Sequence, residues 1–157
     1  MSSFAPAALD FDAAPFRVGI VAARYNPALV EALLGQVLAG LRAAGLKEKN
    51  LTLVRVPGSH EVPVAVQLLA AAGPRDCLIG LGVLIGGDTN HHELVGTSVS
   101  HALQRVALDA GVPVINGVIV ADTLAQARAR CIGRLNRGAE FAAAALEMAA
   151  LKRKLFR

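Results

Sequence analysis

Aromatic residues are scarce in this chain, which has no tryptophan, one tyrosine and five phenylalanines among 157 residues. Hydrophobic residues nevertheless make up 54% of the sequence, so the core must be built from alanine, valine, leucine and isoleucine. Surfaces that stack nucleic-acid bases need aromatic side chains, and their scarcity argues against a nucleic-acid-binding module. A small chain this apolar often buries further surface by self-association, and we therefore expect a homo-oligomer.

Cysteines and long apolar runs are also limited. The two cysteines, Cys77 and Cys131, lie far apart and offer neither a disulfide framework nor the spacing of zinc ligands. The amino terminus lacks the basic start and apolar stretch of a signal peptide, and no apolar run reaches the ~18 residues of a membrane span. We expect a cytoplasmic protein that contacts no membrane.

Positive charge exceeds negative charge, with a net charge of +4 and an isoelectric point near 9.6. Such a balance could favour nucleic acid, a membrane surface or an anionic small molecule. The excess is concentrated at 128–137 and in the tail at 152–157. The tail closes a predicted helix, where cations suit the helix dipole, so a solvated basic helix end explains it better than a nucleic-acid patch.

Four short apolar runs predict strands, and apolar residues at helical spacing fill the segments between them. Because the runs are continuous and alternate with helices, they indicate a parallel sheet covered on both faces. Residues 1–15 show no periodicity and are expected to form an arm, which leaves a single domain at 16–157. The predicted strands are Arg17–Ala23, Leu51–Val56, Cys77–Ile85 and Pro113–Val120.

Ligands of open parallel sheets bind beyond the carboxyl ends of the strands. Here the residues that follow the strands are largely polar, and they include three of the four histidines and the only tyrosine. We therefore expect a site at this edge of the sheet. The four strand-end loops lie at 24–26, 58–61, 86–92 and 121–123.

The third of these loops is the richest in chemistry. Gly86 and Gly87 would let the backbone approach a ligand, and the helix start that follows offers free amides to an anion; a plain tight turn is the alternative. Asp88 beside an anion would weaken binding. Asn90 and Glu93 have the spacing of a capping box, which favours a structural rather than a catalytic role for Glu93.

His91 and His92 are the titratable candidates of that loop. Adjacent residues on a helix point about 100° apart, so the pair cannot easily hold one metal ion, and no metal is expected. One of them could act as a general acid or base, since imidazole titrates near neutral pH; a surface or capping role is the alternative. His101, in mid-helix, is expected at the surface or in packing, and Tyr25 either packs in the core or stacks on a flat ligand.

Five segments of the sequence form a specific set of motifs. They are Arg-Tyr-Asn at 24–26, VPGSHEVP at 56–63, LGVLIGGDTNHHELV at 81–95, GVPVINGV at 111–118 and Arg-Gly-Ala-Glu at 137–140. Together they resemble the lumazine synthase family, in which they recur in the same order and at the same spacing, so the set is far more specific than any single motif. The resemblance extends over 17–155.

The resemblance implies a flavodoxin-like three-layer α/β/α sandwich with a four-stranded parallel sheet. It also implies assembly as a homopentamer, or as twelve pentamers in an icosahedral shell of sixty subunits, with each site between neighbouring subunits. The implied reaction condenses 5-amino-6-(D-ribitylamino)uracil with 3,4-dihydroxy-2-butanone 4-phosphate. This is a transferase step of riboflavin biosynthesis that needs no cofactor.

The same resemblance assigns roles to individual residues. His91 matches the proton-transferring histidine, and Tyr25 matches the ring that stacks on the pyrimidine. Asn116 and Arg130 match positions that a neighbouring subunit lends, and Arg130 would pair with the phosphate. The remaining matches contact the ribityl chain (Ser59, His60 and Glu61), the pyrimidine (the backbone of Val83, Leu84 and Ile85) and the phosphate (Asp88 and Thr89, with Gly87 and Arg137 near it).

Some positions depart from the family's pattern. Gly86 stands where an arginine is usual, Asp88 replaces a small residue, and His60 and Asn116 replace phenylalanines. The segment at 130–137 is one residue shorter than usual. These departures keep open a second hypothesis, that of a non-catalytic relative that binds flavin or lumazine or forms a shell.

Overall fold

The computed structural model describes residues 6–156, in which four strands alternate with helices. The strands are β1 (Val18–Ala23), β2 (Leu51–Val56), β3 (Cys77–Ile85) and β4 (Val114–Ala121). The helices are α1 (Pro27–Ala43), α2 (Val62–Ala71), α3 (His91–Ala110), α4 (Leu124–Cys131) and α5 (Arg137–Leu155), with single 3-10 turns at Glu48–Asn50 and Ser59–Glu61. The predicted order of elements is confirmed, and each strand lies within one residue of its predicted bounds.

The four strands form one parallel sheet in the order β2-β1-β3-β4. One face of the sheet packs against α1, α4 and α5, whose apolar residues share a core with the inward side chains of β1 and β3. The other face packs against α2 and α3 and forms a second, smaller core. This arrangement confirms the predicted three-layer, flavodoxin-like sandwich.

The continuous apolar runs have a direct structural cause. Every residue of β1 and the first seven of β3 are buried, because these two strands lie in the middle of the sheet with helices on both faces. The edge strands β2 and β4 keep several partly or fully exposed positions. The sequence pattern therefore reports which strands are central.

The helices on both faces begin at the carboxyl edge of the sheet. Thr123 caps α4 by accepting from the Gln126 amide (3.2 Å), and Asn136 caps α5 by accepting from the Ala139 amide (3.1 Å). Gly111 ends α3 with a left-handed backbone (φ 62°), a conformation that glycine adopts without strain. None of the helices within residues 6–156 is both long enough and apolar enough to cross a membrane.

The predicted amino-terminal arm has no helix or strand in its described part, residues 6–15; residues 1–5 lie outside the described residues. Its end is attached to the domain, because the Ala13 amide donates to the Ala44 carbonyl (2.8 Å) and the Asn50 amide side chain donates to the Ala14 carbonyl (3.2 Å). The boundary between arm and domain at residue 15 stays a prediction.

Both cysteines are free and belong to the core, as Cys77 and Cys131 have no exposed surface. Burial raises the pKa of the Cys77 thiol to about 12 and that of Cys131 to about 11. Both thiols are therefore protonated at neutral pH, and neither has the thiolate character of a nucleophile.

We expect native protein at pH 8 to react with a thiol reagent such as dithionitrobenzoate only as fast as unfolding exposes the thiols. Protein unfolded in guanidinium should release the chromophore of two thiols at once, and it serves as the control. Rapid labelling of the native protein would contradict the burial of both side chains.

Candidate active site

Backbone and side-chain hydrogen bonds hold the four strand-end loops together at the carboxyl edge of the sheet. The loop after β1 contacts the loop after β2, because the amides of Arg24 and Tyr25 donate to the Pro57 carbonyl (3.2 Å each). The loop after β3 contacts the end of β4, because the Gly86 amide donates to the Ala121 carbonyl (2.8 Å). The polar residues that the sequence grouped by topology are thus brought together in space.

Tyr25 is a surface residue, with 72% of its area exposed, and it does not pack in the core. Its ring lies beside Gly58, where a Cβ atom would approach the ring Cδ2 to 3.1 Å. The Glu61 carboxylate lies equally close to that point, since Oε2 would be 3.1 Å from it. Gly58 therefore separates an exposed aromatic ring from a carboxylate.

The segment Ser59–Glu61 forms the 3-10 turn after β2. Ser59 is buried, and its Oγ lies where Gly82 of β3 leaves space, 2.3 Å from the position of a Cβ there. Glu61 is fixed by accepting the Gly58 amide through Oε2 (2.9 Å), while His60 is exposed. The turn thus rests on β3 and presents His60 and one side of Glu61 outward.

The end of β3 extends beyond its neighbour. β1 pairs with β3 only as far as Leu81, whereas β4 pairs with it as far as Ile85. The Asn26 side chain occupies part of the projecting edge by donating to the Val83 carbonyl (2.8 Å). Asn26 stands at the N-cap position of α1 with a left-handed backbone (φ 55°), but its side chain does not cap that helix.

The loop between β3 and α3 is exposed from Gly87 to His91. The predicted capping box of Asn90 and Glu93 is wrong, because the Asn90 side chain makes no cap hydrogen bond. Asn90 has φ −84° and ψ 20°, whereas a capping side chain requires a more extended backbone. The Glu93 amide donates to the Asn90 carbonyl (3.1 Å), so among the described residues the amides of His91 and His92 remain available to a ligand.

His91 and His92 point to different surroundings, as their helical spacing predicts. His91 is exposed at the first position of α3, whereas the His92 side chain is only 11% exposed and its Nε2 lies 3.2 Å from Asp122 Oδ1. His92, Glu93 and Asp122 have potential ligand atoms within 4.8 Å of one another. The hydrogen bond accounts for this grouping, since both carboxylates are exposed, and we assign no metal to it.

Asn116, Arg130 and Arg137 are not joined to this cluster within residues 6–156. Asn116 lies on the edge strand β4, and its Oδ1 accepts the Val118 amide (3.0 Å). Arg130 donates to the Gln126 carbonyl of its own helix (3.0 Å). Arg137 pairs with Glu140 and lies 5.3 Å from the centre of the Phe141 ring.

Two comparisons agree on the family. A family model described as 6,7-dimethyl-8-ribityllumazine synthase matches residues 15–153. Proteins with that name are 38% identical in Pyricularia oryzae, over 98% of this chain and 96% of theirs, and 42% identical in Halorhodospira halophila, over 88% and 90%. One in Pyrococcus furiosus is 40% identical over 93% of this chain and 91% of its own.

The chain belongs to the 6,7-dimethyl-8-ribityllumazine synthase family. The match covers all four strands and all four strand-end loops. Asn26 and Asp122 organise these loops, although neither is among the site residues predicted from the sequence. Both lie within the loops that topology had singled out, so their position was a usable signal, although their hydrogen-bond partners are set by the tertiary structure.

Gly86 is the departure from the family's pattern that the structure explains most directly. A Cβ atom at Gly86 would lie 2.4 Å from the carbonyl oxygen of Asp122, and the backbone leaves no room for it. The backbone conformation of the loop before α3 therefore leaves no space at residue 86 for the arginine that is usual in the family. At Gly87, by contrast, a Cβ would have no neighbour within 4 Å.

We expect Gly86→Ala to lower the free energy of unfolding by about 1–3 kcal/mol, because overpacking against backbone forces the loop to move. Gly87→Ala, the matched control one residue away, should change it by less than about 0.5 kcal/mol. Urea unfolding followed by circular dichroism measures both. Equal stability of the two variants would show that the loop accommodates a side chain at 86.

Proposed function

We propose that this chain catalyses the formation of 6,7-dimethyl-8-ribityllumazine from 5-amino-6-(D-ribitylamino)uracil and 3,4-dihydroxy-2-butanone 4-phosphate. The observation that carries the proposal is the meeting of four polar strand-end loops at one edge of the sheet, in a chain of the lumazine synthase family. Tyr25, Glu61 and the start of α3 all belong to that edge.

The reaction consists of additions, eliminations and proton transfers. The 5-amino group of the pyrimidine attacks the ketone of the sugar phosphate, and loss of water gives an imine. Removal of the C3 proton then expels phosphate from C4 and leaves an enol, which tautomerises to a carbonyl at C3. The ribitylamino nitrogen closes the second ring on this new carbonyl with loss of another water. Neither substrate is oxidised or reduced overall, so the protein has to orient two substrates and move protons.

The pyrimidine is proposed to lie between Tyr25 and the projecting end of β3. The exposed Tyr25 ring offers a flat apolar face. The Val83 carbonyl is already engaged by Asn26. Ile85, whose backbone alternation directs to the same edge of β3, is therefore a better candidate for a backbone contact than that carbonyl, whereas the backbone of Leu84 faces the paired strand β4.

The ribityl chain is proposed to lie along Ser59–Glu61. Glu61 is suited to accept hydroxyl groups, because the Gly58 amide holds one carboxylate oxygen in place. The exposed His60 can contact the same chain. Ser59 is buried beneath the turn, so it supports the turn more than it meets the substrate.

The phosphate is proposed to bind at the free amides of α3, with Gly87, Asp88 and Thr89 around it. Asp88 opposes this binding through its charge, so the site needs a cation. We propose that Arg130 of a neighbouring subunit supplies it, since the only hydrogen bond of its guanidinium within residues 6–156 goes to a carbonyl of its own helix. Arg137 is less suited, because it already pairs with Glu140.

His91 is proposed as the general acid and base. It stands exposed at the first position of α3, next to the proposed phosphate site, and can reach a bound substrate. His92 is excluded from that role by its burial and by its contact with Asp122. Its function is to hold the start of α3 against the end of β4.

We propose a homopentamer in which a neighbour covers the site and adds Asn116 and Arg130; a shell of twelve pentamers is the larger alternative. Large apolar side chains are exposed in the first turns of α3 and α4, at Leu94 (63%) and Leu124 (51%), and a second copy would bury them. We propose the cytoplasm as the location, which the two free cysteines favour.

We expect purified protein to produce the lumazine chromophore from the two substrates, and His91→Ala to lower kcat by roughly 10- to 100-fold through loss of proton transfer. His101→Ala is the matched control, since His101 lies on the same helix about 15 Å away and should leave the rate unchanged. Absorbance of the product measures both. A rate no higher than the uncatalysed one would favour the second hypothesis, a non-catalytic relative. That hypothesis is motivated by Asn116, which stands where the family usually has a phenylalanine.

Arg130→Ala should raise KM for the sugar phosphate at least tenfold through loss of a charge-assisted contact and leave KM for the pyrimidine nearly unchanged. Arg128→Ala, two residues away on α4, is the control. Co-expressing the His91→Ala and Arg130→Ala chains should restore part of the activity, because some sites would combine the intact residue of each. No recovery in mixed oligomers would contradict a site shared between subunits.

A further inference from the structure

A cavity of about 360 Å³ lies at the amino end of the sheet, opposite the candidate active site. Its walls come from the residues just before β1, β2 and β3 and from the end of α5. They include one carboxylate, that of Asp76, and six cationic side chains: Arg17, Lys47, Lys49, Arg75, Lys152 and Arg153.

Asp76 neutralises only one of these cations. It is buried, and Arg153 binds it through two hydrogen bonds, from Nε to Oδ1 (2.9 Å) and from Nη2 to Oδ2 (3.1 Å). The Arg17 amide donates a third bond to Oδ2 (2.7 Å). The other five cations have no carboxylate within 4.0 Å among residues 6–156.

The acid in the turn before β2 does not face this charge. Glu48, which stands between Lys47 and Lys49, pairs instead with Arg42 (2.6 Å). Arg75 is held by its own neighbours, because Nη1 donates to the Pro74 carbonyl (3.0 Å) and Nη2 to Thr52 (3.4 Å). Its Nε is buried and has no acceptor among the described residues, which is unusual for a buried donor.

We propose that this cavity binds a small anion that carries two or more phosphate groups. Its volume suits a diphosphate or a nucleoside diphosphate, and several cations converge on it from four chain segments, so a single charge would leave most of them uncompensated. A nucleic-acid strand fits less well, because no aromatic ring lines this cavity: Phe16 is buried beneath Arg153, and the exposed Phe156 lines the adjoining cavity instead.

Occupation of the cavity has a structural consequence. The arm, the turn before β2, the turn before β3 and the end of α5 are distant in sequence, and one ligand would connect all four. A ligand that binds only the folded chain raises its melting temperature. The site lies at the other end of the sheet from the proposed catalysis and does not depend on it.

The test is titration of the full-length protein with inorganic pyrophosphate at constant ionic strength, by calorimetry and by thermal unfolding. We expect saturable binding and a raised Tm. Lys49→Gln and Lys152→Gln should each weaken binding by roughly tenfold, as loss of a charge-assisted contact does. Lys154→Gln removes the same charge from α5 outside the cavity and should bind pyrophosphate as the unaltered chain does.

Two further arms separate this site from others. Arg130→Ala should keep full affinity, whereas loss of binding in that variant would place the pyrophosphate at the candidate active site and overturn the proposal. If Lys154→Gln weakened pyrophosphate binding as much as the cavity variants do, the effect would be one of net charge alone, and this result would also overturn the proposal. So would a single-stranded oligonucleotide that binds the cavity more tightly than pyrophosphate and displaces it.

Discussion

The pairing of β3 with a parallel strand on each side is the constraint on which the rest of the structure depends. Because all four strands are parallel, the loops that follow them, at 24–26, 58–61, 86–92 and 121–123, meet at one edge of the sheet. Because β3 projects beyond β1, the loops after β1 and β2 have a surface to pack on. Asn26 binds its exposed carbonyl edge, and Ser59 packs into the space left by Gly82. Strand pairing thus brings the loops together and fixes where along β3 they pack.

The sequence was sufficient to predict the strands and their order along the chain, because burial on both faces of the sheet requires consecutive apolar residues. It was insufficient for side chains whose partners are remote in sequence. Asn26 looks like a helix cap, yet its amide reaches Val83, fifty-seven positions away. Asn90 looks like another cap, and the backbone of the preceding loop turns it away. Capping rules consider only partners that are close in sequence, so they fail where a tertiary contact competes for the same side chain. Such contacts are frequent at a functional site.

The part of the site contributed by a neighbour is harder still to derive. Nothing in the spacing of Asn116 or Arg130 links them to Tyr25, and one folded chain leaves them apart from it. The family resemblance supplied these residues, and a physical argument for them requires the second subunit. What one chain does contain is an aromatic ring and several large apolar side chains left in solvent, an arrangement that association would correct.

The two edges of the sheet differ in charge for reasons that extend beyond the helix dipole. Helices run opposite to the strands, so their carboxyl ends lie at the amino edge of the sheet, where cations are favoured. Three helices, α1, α2 and α5, end near the basic cavity. Each end is equivalent to about half a negative charge and acts only over its last turn. Among residues 6–156, five of the cations that line this cavity have no carboxylate partner, and they exceed what three such ends can balance. The dipoles therefore account for basic residues at the end of α5, but they leave the amino edge positively charged, and a mobile anion remains the simplest source of the missing charge.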